Sequence, residues 1–78
     1  MTTHRLTFEL TQKGRFWARL DGVGYEIRQA NHWSDWIART FEPEDASEGE
    51  VQGEFHSLGS AKERLREIAQ EKRHGRSI

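Results

Sequence analysis

Four histidines, at positions 4, 32, 56 and 74, are the side chains of this 78-residue chain best suited to metal ligation or to proton transfer near neutral pH. Their spacing provides neither the i, i+4 pair of a metal-binding helix nor the alternate pair of a metal-binding strand, and no cysteine is present to complete a mixed set. No metal and no other cofactor is therefore expected. His32, Ser34 and Asp35 carry the residue types of hydrolytic chemistry, but such groups are assembled across a fold rather than from near neighbours, and nothing resembles a nucleophile elbow. The glycines at 14, 22, 24, 49, 53 and 59 do not form a phosphate loop leading into a helix. The expectation is a protein that binds and does not catalyse.

Three groups of residues are suited to binding. Between Thr40 and Ala61 stand six carboxylates, Glu42, Glu44, Asp45, Glu48, Glu50 and Glu54, with no Lys or Arg among them. The rest of the chain then holds 12 cations against 7 carboxylates, so the formal net charge of −1 conceals a molecule of about +5 and −6 at its two poles. Such an acidic segment suits a basic protein surface, including one whose usual ligand is a phosphate backbone. A second group is Arg15, Trp17, Arg19 and Arg28, with Glu26 and Arg5 beside them, where a large aromatic flanked by arginines has the composition of a binding hot spot. The third is a basic stripe of Lys62, Arg66 and Arg73, which fall within about 40° of one another at 100° per residue, separate from a row of Glu63, Glu67 and Glu71.

The elements that must position these groups follow from periodicity. RLTFELT (5–11) alternates strictly, with Leu6, Phe8 and Leu10 on one side. RFWARL (15–20) alternates Phe16, Ala18 and Leu20 against Arg15, Trp17 and Arg19. Asp21-Gly22 is the dipeptide of a tight hairpin turn with positive φ at both residues, and it leads into Val23, Tyr25 and Ile27 in phase. WSDWIARTF (33–41) resumes the pattern in one of two phases, either Trp36, Ala38 and Thr40 inward or Ile37 and Phe41 inward. EPEDASEGE, opening at the single proline, Pro43, has no period and reads as a loop. A short strand then puts Val51, Gly53 and Phe55 on one face. From Ser57 the period becomes helical, with Leu58, Ala61, Leu65, Ile68 and Ala69 in one stripe. Ser57 or Ser60 can cap the start, Ser60 has capping-box spacing to Glu63, and Gly75 offers a left-handed stop after His74. The predicted fold is α+β: an antiparallel four- to five-stranded sheet over about 5–56, with one C-terminal helix over about 58–74 packed on one face as a second layer. Residues 1–78 form a single domain in this reading.

Size and composition bound the function further. The count of 12 Lys plus Arg against 13 Asp plus Glu excludes bulk polycation binding. Leu, Ile, Val and Phe make up only 15 of 78 residues, but eight aromatics, four of them these Phe, supply much of the apolar area. A chain of this size buries only about 60% of its unfolded surface, which leaves a thin core and no deep cleft. No apolar run approaches a membrane span, and the start MTTHRLTFEL lacks the layout of a signal peptide, so no membrane contact and a cytoplasmic location are expected.

Two resemblances bear on function. The Arg- and Trp-bearing meander followed by Phe55, Ser57 and Ala61 in the step F-x-S-x-x-x-A is similar to the arm-type DNA-binding domain of phage integrases. That likeness implies a three-stranded sheet whose outward residues, here Arg15, Trp17, Arg19 and Arg28, enter the major groove. The balanced charge and the acidic segment depart from it, since binding by counterion release needs several uncompensated cations. In size, absence of an enzyme motif and charge layout, the chain also resembles the small inhibitors encoded by phages and mobile elements, of the anti-CRISPR kind. That resemblance implies a protein partner, with the carboxylates from Glu42 to Glu54 engaging its Arg or Lys and Trp17, Trp33 or Trp36 as anchor. This inhibitor reading ranks first, direct nucleic-acid binding through the sheet second, and a structural homodimer third.

Overall fold

The structure, a computed structural model, describes residues 6–11, 14–30 and 35–76, with 73–76 described by their backbone alone. Five strands form one antiparallel sheet in sequence order: β1 (Glu9–Leu10), β2 (Phe16–Leu20), β3 (Val23–Gln29), β4 (Trp36–Phe41) and β5 (Glu50–Phe55). One helix among the described residues, α1 (Leu58–Arg76), follows and lies across one face. The fold is therefore the two-layer α+β arrangement that the periodicity predicts.

Alternation decides which side chains meet the helix. Ala18, Val23, Tyr25, Ile27 and Ala38 point inward and pack with Ala61, Leu65, Ile68 and Ala69 of α1. Tyr25, Ile27, Leu65 and Val23 are the largest side chains fully removed from water, each contributing about 1.5–3 kcal/mol on burial. Asp21 and Gly22 take φ of 54° and 80°, the turn that the Asp-Gly dipeptide predicts. Trp36 faces inward and meets Phe16 edge-on, with ring centroids 6.0 Å apart. That settles the phase of β4: Trp36, Ala38 and Thr40 face the helix, and Ile37, Arg39 and Phe41 face away.

Three details depart from the sequence pattern. Only Glu9 and Leu10 of the first alternating run pair in the sheet; Leu6 still enters the core and Phe8 packs against it. Phe8 lies beneath Lys62 and Arg66 of the helix, so Leu6 and Phe8 are covered without joining the ladder, whereas Leu10, predicted on the same side, pairs in the sheet and is 65% exposed. Second, a register shift between Ala38 and Arg39 opposes Ala38 to Gly53 but Arg39 to Val51. Gln52 is the extra residue, and the irregularity carries Val51 to the helix-free face, away from Gly53 and Phe55. The Gln52 amide in return donates to the hydroxyl of buried Thr40 at 2.9 Å. Third, the helix begins after Ser57, whose Oγ accepts the Ser60 N–H at 3.1 Å. Ser57 is thus the cap, no Ser60–Glu63 box forms, and the helical backbone continues through Gly75 to Arg76. Glycine permits a left-handed stop without requiring one.

Candidate functional site

The helix-free face is built by residues that register places side by side. Glu9, Trp17, Glu26, Arg39 and Val51 form one line across all five strands. Next to it lie Arg19, Gly24 and Phe41, and on the other side Arg28, Ile37 and Glu54. Gly24 has a packing reason to be glycine: a β-carbon there would stand 2.6 Å from Cη2 of Trp17. Its bare backbone lets Trp17 of β2 and Phe41 of β4 meet across the intervening strand, with centroids 5.5 Å apart. Trp17 does point away from the helix, as its phase predicts, but it is half-buried.

Glu26, which alternation places on this face beside the arginines, is not exposed there. It is 2% exposed, and its Oε2 accepts a hydrogen bond from Nη1 of Arg15 at 2.9 Å. Its other oxygen, Oε1, and Nε of Arg39 are buried without a hydrogen-bond partner. Arg39 is absent from the set that sequence reasoning assigned to this face, because the undecided phase of β4 hid it. Arg28 and Arg39 have no carboxylate partner among the described residues, whereas Arg19 approaches Glu44 at 3.6 Å. The described residues of this side therefore carry four arginines and four carboxylates, Glu9, Glu26, Glu44 and Glu54, among which Arg15 pairs with Glu26 and Arg19 with Glu44.

The acidic segment is fixed in place over the lower end of the same face. Glu44 N–H donates to the Gly22 carbonyl at 2.9 Å, and Ala46 N–H to that of Pro43 at 2.9 Å. Phe41 lies on Gly49 so closely that a β-carbon there would stand 2.6 Å from Cζ. Glu42 pairs with Lys72 of the helix at 2.7 Å. The six carboxylates therefore divide. Glu42 and Glu44 tie the segment down; Asp45, Glu48 and Glu54 are exposed with no hydrogen bond or cation partner among the described residues; Glu50, also exposed, receives a long 3.5 Å contact from Gln52.

The helix stripe is used largely at home. Nζ of Lys62 stands 5.3 Å from the Phe16 ring centroid and 5.9 Å from that of Phe8, and the Arg66 guanidinium 5.8 Å from Phe8. Both side chains lay their stems over the edge of the core. Arg73 is described by its backbone alone, and Arg5, His4, His32, Trp33 and Ser34 lie outside the described residues.

One pairing escaped sequence reasoning. Nδ1 of His56 lies 3.1 Å from Oδ1 of Asp35, because the Trp36–Phe55 register brings the residues flanking them together. His56 is almost fully exposed, and the nearby Ser57 hydroxyl donates to Ser60 Oγ at 3.0 Å, so the three groups do not form a nucleophile–base pair. Among the described residues no group of three or more His, Asp or Glu could hold a metal ion, and no helix is long and apolar enough to cross a membrane. No protein-family model, curated protein or solved structure matches this chain.

Proposed function

We propose that this chain is a non-catalytic binding protein that blocks a nucleic-acid-handling complex by protein contact, in the manner of the anti-CRISPR inhibitors it resembles. One observation carries the reading: the acidic segment is latched to the sheet and the helix, yet Asp45, Glu48 and Glu54 remain exposed and unpaired among the described residues. A partner meeting these carboxylates finds the segment's backbone already held, so the loop-ordering part of the cost of association falls away while the free side chains are still ordered on contact. The acids match the cations that such a complex presents to phosphates, and their field speeds encounter at low salt. Direct nucleic-acid binding ranks lower, because Arg15 and Arg19 of the helix-free face are paired with Glu26 and Glu44 and the acidic segment lies over the same face, so few cations are left to release counterions.

The test is affinity capture from nuclease-treated bacterial lysate by the immobilised chain and by an Asp45→Lys/Glu48→Lys/Glu54→Lys variant of unchanged circular dichroism. Nucleic-acid-binding proteins retained by the first and lost by the second are expected. Identical capture by both would defeat the reading. So would saturable binding of a labelled duplex by the chain alone at about 50 mM salt, which is the signature of the sheet-based alternative.

A further inference from the structure

The sheet has two edges of unequal character. β1 is two residues long and offers almost nothing to a new strand, whereas β5 spans six residues and pairs on one side only, with β4. No described residue pairs with its outer side. In an antiparallel strand alternate residues turn their N–H and C=O groups to each side, so the outer edge of β5 presents a row of donors and acceptors to solvent. Its side chains are accessible as well: Glu50, Val51 and Glu54 are exposed, Val51 at 55%.

Charge decides what such an edge can accept. Glu50 and Glu54 stand on the strand, Glu48 leads into it, and the stretch from Phe41 to Ala61 carries no cation. A second copy of the same strand would bring these carboxylates against their own kind, and like charges across a ladder destabilise it. An extended segment with Lys or Arg on both of its faces escapes that repulsion. Glu54, opposite Ile37, and Val51, opposite Arg39, lie on the helix-free face, and Glu50, opposite Thr40, lies on the helix side. One cation of the segment therefore falls beside Glu54 and a second, on its other face, beside Glu50, while an apolar residue covers Val51 and the backbone completes the hydrogen bonds.

We infer that β5 is a docking edge for a basic, extended segment of a protein partner, which adds to the sheet as a sixth strand. The inference rests on the proposed acidic contact and deepens it: the partner binds by strand addition and not by charge alone.

Two probes separate those terms. One is a peptide of about eight residues with Lys on both faces around a central Val, and the other is the same peptide N-methylated at every second amide, which keeps the charge and removes donors from one edge. Both registers of methylation are used, so that one always faces β5. The unmodified peptide should bind and slow amide exchange in Glu50–Phe55, while exchange in β1 is unchanged. One methylated register should lose at least tenfold in affinity, as should the unmodified peptide against Glu50→Lys/Glu54→Lys. Equal binding by both methylated registers would overturn strand addition and leave the acidic-contact proposal to the lysate experiment. Equal binding to the charge-reversed chain, failure of the unmodified peptide to bind, or peptide-sensitive dimerisation of the chain itself on sedimentation would each overturn the inference.

Discussion

Replacing Arg15 with alanine should destabilise this protein more than neutralising Glu26, its partner. The Glu26 side chain is 3% exposed and that of Arg15 is 40% exposed, so the two ends of the 2.9 Å pair are in different surroundings. In Glu26→Gln the guanidinium is released at a place that water already reaches. The loss is that of one charge-assisted hydrogen bond, discounted for exposure, about 1 kcal/mol. In Arg15→Ala the carboxylate stays where water does not reach it, with Oε2 joining Oε1 in having no donor. Removing one member of a buried pair costs about 3 kcal/mol, and the neighbouring Arg39 charge brings that down to about 2. The double variant should return close to Glu26→Gln, a coupling of about 1–2 kcal/mol in the cycle. Urea unfolding followed by far-ultraviolet circular dichroism reads the difference. With a denaturant slope of about 1 kcal/mol per molar for so small a domain, Arg15→Ala should lower the midpoint by about 2 M and Glu26→Gln by about 1 M. A midpoint for Arg15→Ala equal to or above that of Glu26→Gln would refute the reasoning.

Ser57→Ala removes the acceptor for Ser60 N–H and should cost about 1 kcal/mol, read by the same urea transition; no change would mean that the helix start is satisfied by water. Gly24→Ala forces the Trp17 ring aside, at about 1–2 kcal/mol, and should shift tryptophan emission to the red. Lys62→Ala should cost about 1 kcal/mol, because both the stem packing and the charge over Phe16 and Phe8 are lost. Lys62→Met, which keeps the stem, should recover at least half of that in thermal unfolding.

Local chemistry carried most of the fold. Asp21-Gly22 encodes its own turn, the alternation through β2 and β3 needs no partner to be read, and the stripe from Leu58 to Ala69 defines the helix face. What stayed hidden depends on pairing. The phase of β4 was open because Ile37 and Phe41 are as apolar as Trp36 and Ala38, and only contact with Phe16 and the helix distinguishes the two sets. With that phase open, Arg39 could not be assigned to the helix-free face. Alternation in V-Q-G-E-F places Val51 with Gly53 and Phe55, but a one-residue irregularity reverses the period-two pattern, and nothing within the run marks it except Gly53. Glu26 alternates correctly away from the helix, yet its burial comes from surroundings built by Arg15, Trp17 and Arg39 on neighbouring strands. The acidic segment was legible as a charge excess. Its division into tethering and free carboxylates was not, since the tethers Lys72 and Arg19 are remote in sequence.

The pair between Lys72 and Glu42 joins the end of the helix to the start of the acidic segment. An exposed pair of this kind contributes about 0.5 kcal/mol, enough to change the fraying of the last helical turns by a factor of about two. The helix terminus is therefore a remote gauge of the segment. A partner that takes Glu42 for itself should loosen the final turns, whereas one that leaves Glu42 in place and immobilises the segment should steady them. A spin label or amide signal beyond Lys72 would register which carboxylates had been taken, without touching the contact itself.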